Sequence, residues 1–303
     1  MANQKQAQAA QANSEVQNPR KERSQWAEVW HRLKKNKGAM VGLAVVILLG
    51  IFALGADIIW DYDTQVIGQN TKERLQHPNS AHIMGTDEFG RDIFYRVMYG
   101  TKYSLSVGFV AVAIAIVIGV ALGAVAGYFG GVLEEVIMRG TDIFAAVPNM
   151  LMAIVIVSAL GQGMFNLMVA IGITSVPQFV RITRAAVLTV RNQEYVEACR
   201  AIGLSKTKII FSHILPNCLS PIIVQATLRV GSAIISSSSL SFLGLGIPAP
   251  SPEWGSMLSA GRRFIRDYNY MTLFPGLAIM VTVLALNLLG DGLRDALDPK
   301  LKD

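Results

Sequence analysis

The chain has 303 residues, of which 52% are hydrophobic and 16% charged, against roughly 25% charged in soluble domains. Its formal net charge of +6 is gathered at the ends of apolar runs; this excludes a nucleic-acid reader and matches the orienting charges of a membrane protein. Two cysteines, Cys199 and Cys218, with no CxxC spacing, and four scattered histidines exclude both a disulfide scaffold and a metal site.

Residues 1–25 are polar, rich in Gln and Ala, and lack the apolar core of a cleavable signal peptide. They are expected to form a disordered cytoplasmic tail. Over 26–38 the residues Trp26, Trp30 and Leu33 fall on one helical face beside Lys34, Lys35 and Lys37. That pattern predicts an interfacial amphipathic helix on an anionic leaflet, or a basic flank that orients the next segment. The first span is expected at 39–60. Eight basic and three acidic residues precede it within 1–38, which puts the N-terminus in the cytoplasm.

Residues 61–102 read as an external segment, with Gly85 and Gly90 marking turns and Thr86 or Asp87 as a helix cap. Asp87, Arg91 and Asp92 are expected to pair locally in a folded external loop, and they are candidates for contact with an external receptor. The core transmembrane domain is expected at 103–291, with five further spans. The second, 105–126, carries Gly119 and Gly123, a GxxxG that permits close helix packing. Residues 127–141 read as a short turn. The third span, 142–160, contains Pro148 and is expected to kink. The fourth, 167–180, is short for a full crossing.

Residues 181–217 carry six basic and two acidic side chains, which is the composition of a cytoplasmic segment. The fifth span, 219–243, contains Gln225, Thr227, Arg229 and a serine run with Ser236 and Ser237. Lipid rejects that composition and a wet cavity accepts it, so Arg229, Gln225, Ser236 and Ser237 are pathway candidates. For Arg229, structural pairing and snorkelling stay open. Residues 244–270 form an external loop rich in proline, with Glu253 and Trp254 as further receptor-contact candidates. The sixth span lies at 273–289, and 292–303 is a cytoplasmic tail.

Four motifs carry a resemblance. Around the polar loop 190–217 the chain has Glu197-Ala198-Cys199, then Gly203, then Leu215-Pro216. Residues 85–92 read GTDEFGRD. Residues 241–246 read SFLGLG and are followed by PEWG at 252–255. Residues 287–299 read NLLGDGLRDALDP. Over residues 26–303 the chain resembles the inner-membrane permease subunits of ABC importers, and within them the second permease of the dipeptide and oligopeptide group. It departs from the family pattern at Cys199, where the motif has alanine, and at His213, where an aliphatic residue is usual.

The resemblance implies an all-α, six-helix transmembrane fold of the type I importer kind, with both termini cytoplasmic, in a bacterial or archaeal cell membrane. It also implies that Glu197, Ala198, Cys199, Gly203, Leu215 and Pro216 form a coupling element that docks on an ATPase subunit. Peptide would pass from an extracytoplasmic binding protein by alternating access. The implied partners are a second homologous permease and two ATPase subunits that hold ATP and Mg. No GxxxxGK[ST] phosphate loop occurs here, so this chain is expected to be a non-enzymatic permease without a cofactor of its own. Nickel chelates, glutathione and opines are alternative cargoes. An ion-coupled secondary transporter is the rival class; it calls for paired mid-membrane acids and an internal repeat, whereas Asp57 and Asp142 lie near span ends. A scaffold or receptor subunit without transport is the remaining class.

Overall fold

A computed structural model describes residues 25–298. The tail expected at 1–25 falls almost wholly outside the described residues, as does the end of the expected 292–303 tail. Among the described residues the chain is helical, and one isolated bridge, Thr86 to Asp92, is its only extended pairing.

Helix α1 (Gln25–Lys35) leads through Asn36 into α2 (Lys37–Ile59). The Asn36 side chain accepts from the Ala39 amide at 3.1 Å and so caps α2. Leu33 of α1 is buried with Ala39 and Ala296, so α1 rests on the far end of the chain. Trp30 stays exposed, with Lys34 above its ring.

Helix α3 (Ile93–Phe129) has 37 residues. That is about 55 Å of helix, against about 30 Å of hydrocarbon, so α3 projects beyond the apolar layer. Asp92, not Thr86 or Asp87, caps it: its carboxylate accepts from the Phe94 amide at 2.7 Å. The segment expected to be loop through 102 is therefore helical from Ile93.

The expected turn at 127–141 is also largely helical. Gly130 and Gly131, both at positive φ, reverse the chain into α4 (Gly131–Ala145). At Pro148 the chain bends by 86° into α5 (Asn149–Leu160). The kink expected in the third span is thus a full break, because the proline ring and the missing N–H interrupt the helix ladder. Helix α6 (Met164–Val190) runs ten residues past the expected end of the fourth span, straight through Pro177, Arg181 and Arg184. The two arginines are accommodated because α4 supplies their partners: Arg181 donates to Asp142 at 2.9 Å, and Arg184 pairs with Glu134.

The chain continues through α7 (Glu194–Ala201), α8 (Lys206–Ile209), a wide and then a tight turn over 210–218, and α9 (Leu219–Phe242). The loop that follows holds α10 (Trp254–Gly261), and α11 (Tyr270–Leu297) closes the bundle.

The most extensive pairing is α3 with α6. A Cβ at Gly123 would sit 2.6 Å from the Val180 carbonyl oxygen, and one at Gly127 would sit 2.8 Å from Val187 Cβ. Glycine is therefore required where the two backbones touch. The pair is the spine of a core that includes Val107, Ala111, Leu167, Ile171, Phe179 and Ile234. Five helices are long and apolar enough to cross a membrane, or six crossings if the bent α4–α5 pair is one.

Gly123→Leu is expected to prevent the α3–α6 approach and to lower the thermal midpoint in detergent by the equivalent of roughly 1–3 kcal/mol or more. Gly50→Ala on α2, where nothing lies within 4 Å of the added carbon, is expected to leave the midpoint unchanged or slightly raised. Equal midpoints for Gly123→Leu and the parent would contradict this packing.

Candidate functional site

At the end of the bundle where α3 and α6 terminate, α7 is seated by one apolar cluster. Val196, Ile209, Ile210, Ile214 and Cys218 bury against Ala124 of α3 and Val187 of α6. The sequence ends α7 sharply. Gly203 adopts φ +79°; its amide donates to Arg200 O at 3.0 Å, and the Leu204 amide donates to Cys199 O at 3.1 Å. This is the paired-bond cap in which glycine avoids the left-handed penalty. Cys199 and Leu204 then pack on the same cluster, which tolerates sulfur where alanine is usual. The Ser205 hydroxyl accepts from the Lys208 amide at 3.4 Å and starts α8.

The outward face of α7 is left bare. Glu197, Ala198 and Gly203 are exposed, as are Tyr195, Ile202 (75%) and Phe211 (66%). Leu215 is half-buried and Pro216 exposed at the head of the tight turn before α9. Of the six predicted loop residues, Glu197, Ala198, Gly203 and Pro216 are thus exposed, whereas Cys199 and Leu215 are half-buried and pack on the apolar cluster. Sequence reasoning missed Ile202 and Phe211. Their signal was available: large apolar residues in a stretch too polar to enter lipid.

Along α9, Gln225, Arg229, Ser232, Ser236 and Ser239 recur at seven-residue spacing and share one face. Arg229 Nε donates to Ser175 Oγ of α6 at 3.1 Å, and Gln225 meets Gln178 of α6 at 3.4 Å. Ser236 returns its hydroxyl to the Ser232 carbonyl at 3.0 Å. Ser237 lies elsewhere: it is buried, and its hydroxyl has no partner. The partner of Arg229 is a hydroxyl, so none of the described carboxylates neutralises it.

The opposite end of the bundle carries a cap built from residues 61–92 and 245–269. Asp87 is its hub. One carboxylate oxygen accepts from the Phe89 and Arg91 amides at 2.9 and 3.0 Å; the other accepts from Arg91 Nε at 2.7 Å. Arg96 lies 3.7 Å from that second oxygen and donates to the Val66 and Pro250 carbonyls at 3.1 and 3.3 Å, which ties the two loops together. Asp92 meets His82 at 2.8 Å. Trp254 is buried and donates from Nε1 to Val97 O at 2.9 Å. Glu253 is fully buried (0%); one oxygen caps α10 at Ser256. The five residues singled out for receptor contact are therefore held inside the cap, with Phe89 and Ile83 among the exposed groups around them.

Comparison with known proteins agrees with this architecture. Residues 119–303 match the profile described as binding-protein-dependent transport system inner membrane component. Residues 24–78 match the N-terminal TM domain of oligopeptide transport permease C. The chain belongs to the family of binding-protein-dependent transport system inner membrane components, and it is a multi-pass membrane protein. A dipeptide transport system permease protein of Alkalihalophilus pseudofirmus is 48% identical, over 92% of this chain and 91% of the relative. One from Haemophilus influenzae is 43% identical, over 91% and 95%. A glutathione transport system permease protein of Pectobacterium atrosepticum is also 43% identical, over 92% and 93%. Among solved structures, a chain of an inward-facing MetNI methionine ABC transporter aligns with a TM-score of 0.56 at 19% identity. The match covers 68% of this chain and 98% of that one; it shows the fold alone.

Asp87→Ala would leave Arg91 and Arg96 buried without their carboxylate. The expected cost is roughly 3–5 kcal/mol, read as a large fall in thermal midpoint, whereas Ile83→Ala on the cap surface stays near the parent. Parity between the two variants would show that the ion cluster does not hold the cap.

Proposed function

We propose that this chain is the permease subunit of an ATP-driven importer of dipeptides or oligopeptides, and that it hands peptide from an external binding protein to the cytoplasm by alternating access. The observation that carries the reading is the exposed platform of α7, Ile202 and Phe211 in a chain whose relatives bear the names of peptide permeases. An apolar platform beside the carboxylates Glu194 and Glu197, raised on a rigid apolar seat, suits docking into a cleft of an ATPase subunit. Glu197, Ala198, Gly203 and Pro216 form that platform and its edge, and Cys199 and Leu215 anchor it.

In this reading six crossings are made by α2, α3, the bent α4–α5 pair, α6, α9 and α11, and both termini lie in the cytoplasm with α7. The basic composition of 1–38 and 181–217 supports the orientation. The cap then faces outward. Asp87, Arg91, Asp92, Glu253 and Trp254 fix its shape from within, so that its exposed rim receives the binding protein. Gln225, Arg229 and Ser236 line half of the pathway, and a second permease supplies the other half. Two partner ATPases supply ATP chemistry with Mg. Transport needs ATP and the loaded receptor to bind the two access states with different affinity.

The reading is tested with the co-purified complex, its binding protein and labelled di- and tripeptides in vesicles. Glu197→Ala is expected to lower ATP-dependent uptake by roughly five-fold or more, the lower end of ordinary coupling energies, while the complex stays assembled. Wild-type uptake of glutathione but not of dipeptides would move the chain to the second cargo, which the 43%-identical glutathione relative supports. A folded chain that retains no ATPase subunit would overturn the importer reading. Arg229→Gln is expected to change peptide KM or transport rate and leave the thermal midpoint near the parent, because its hydrogen-bond partner is the neutral Ser175 hydroxyl.

A further inference from the structure

At the α7 end of the bundle a cavity of about 400 Å³ is lined by Tyr128, Phe129, Arg191, Asn192, Arg200 and Lys206. Three of its six lining residues are cationic. Arg200 stacks over Tyr128 at 5.4 Å and Lys206 over Phe129 at 5.6 Å. Arg191 donates to the Gly127 carbonyl at 2.7 Å, and Arg200 donates to the Arg191 carbonyl at 3.3 Å. No described carboxylate forms an ion pair with any of the three, and the nearby Glu134 is taken by Arg184. This concentration of positive charge is aimed at an anion.

A second cavity, an apolar groove of about 300 Å³, lies between α3, α4 and α6. Leu122, Val136, Phe144 and Val176 line it, and Gly140 opens it, with nothing within 4 Å of the position of a Cβ. Leu122 and Phe129 lie seven residues apart on the same face of α3, about 10 Å along its axis. The cationic cavity and the groove are thus placed to hold the two ends of one amphipathic molecule. Tyr128 and Phe129 sit where the long apolar run of α3 ends, the level at which aromatic rings meet lipid headgroups.

We propose that this paired site binds an anionic phospholipid. Its phosphate is held by Arg191, Arg200 and Lys206, and one acyl chain lies in the groove. A carboxylate of a docked protein would satisfy the cations but leave the groove unexplained, and a free phosphate would do the same. A lipid held here braces α4 and α6 directly beside the seat of α7.

The test is thermal unfolding of the full chain in detergent, titrated with dioleoyl phosphatidylglycerol, dioleoyl phosphatidylcholine or inorganic phosphate. Phosphatidylglycerol is expected to raise the midpoint, and the other two are not. The exposed-site variant Lys206→Gln, alone and with Arg200→Gln, is expected to weaken the response, roughly tenfold or more for the pair. Gly140→Leu fills the groove; it should weaken the response to dioleoyl but not to dihexanoyl phosphatidylglycerol. A midpoint rise of the same size with phosphatidylcholine or inorganic phosphate would overturn the proposal. So would an unchanged titration in Lys206→Gln and the double variant, or an unaltered dioleoyl response in Gly140→Leu.

Discussion

The backbone contact between α3 and α6 is the constraint on which the other parts depend. With Gly123 and Gly127 set against Val180 and Val187, two helices of 37 and 27 residues run together far enough for their ends to act as one body. In lipid no hydrophobic force distinguishes helix neighbours from acyl chains, so tight packing of small residues has to do that work. One end of this seam supplies Ala124 and Val187 to the seat of α7; near the other end, Ser104 and Val97 of α3 hold Trp254.

That arrangement places a loop platform and an ion-pinned cap at opposite ends of one rigid element. In the proposed importer, a push on α7 would reach the cap through α3 and α6, which contact both ends. The polar stripe of α9 lies between them and faces α6 through Arg229 and Ser175. Movement of α6 therefore changes the immediate surroundings of the one arginine in the middle of α9. In the proposed importer, coupling and pathway would meet at that contact.

Much of this was legible in the sequence, and what was missed has physical causes. Gly203 and Ser205 are residue types favoured at a helix end and a helix start, which is where the structure puts them. The Gly119–Gly123 spacing announced a close crossing, although not its partner. The length of α6 was hidden by Arg181 and Arg184, which look like a loop until Asp142 and Glu134 of α4 are found beside them. Helix α4 was hidden for the same reason, since its acids read as a solvated turn. In the cap, Asp87, Glu253 and Trp254 read as surface chemistry. A single sequence does not reveal that two loops separated by more than 150 positions bury one another. The spacing of the serine run did not by itself say that Ser237 turns inward while Ser236 stays on the polar face.

The central claim is that the α9 stripe lines a path whose access is switched by ATP through α7. It is tested most directly by thiol accessibility. Ser236→Cys, in the assembled complex with Cys199 and Cys218 replaced, is exposed to a membrane-impermeant thiol reagent added from the binding-protein side. The account predicts labelling only when ATP and loaded binding protein are present, while Leu54→Cys on the lipid-facing side of α2, 88% exposed in the isolated chain, stays unlabelled throughout. Labelling of Ser236→Cys at one rate with and without ATP, or none in either condition, would contradict it.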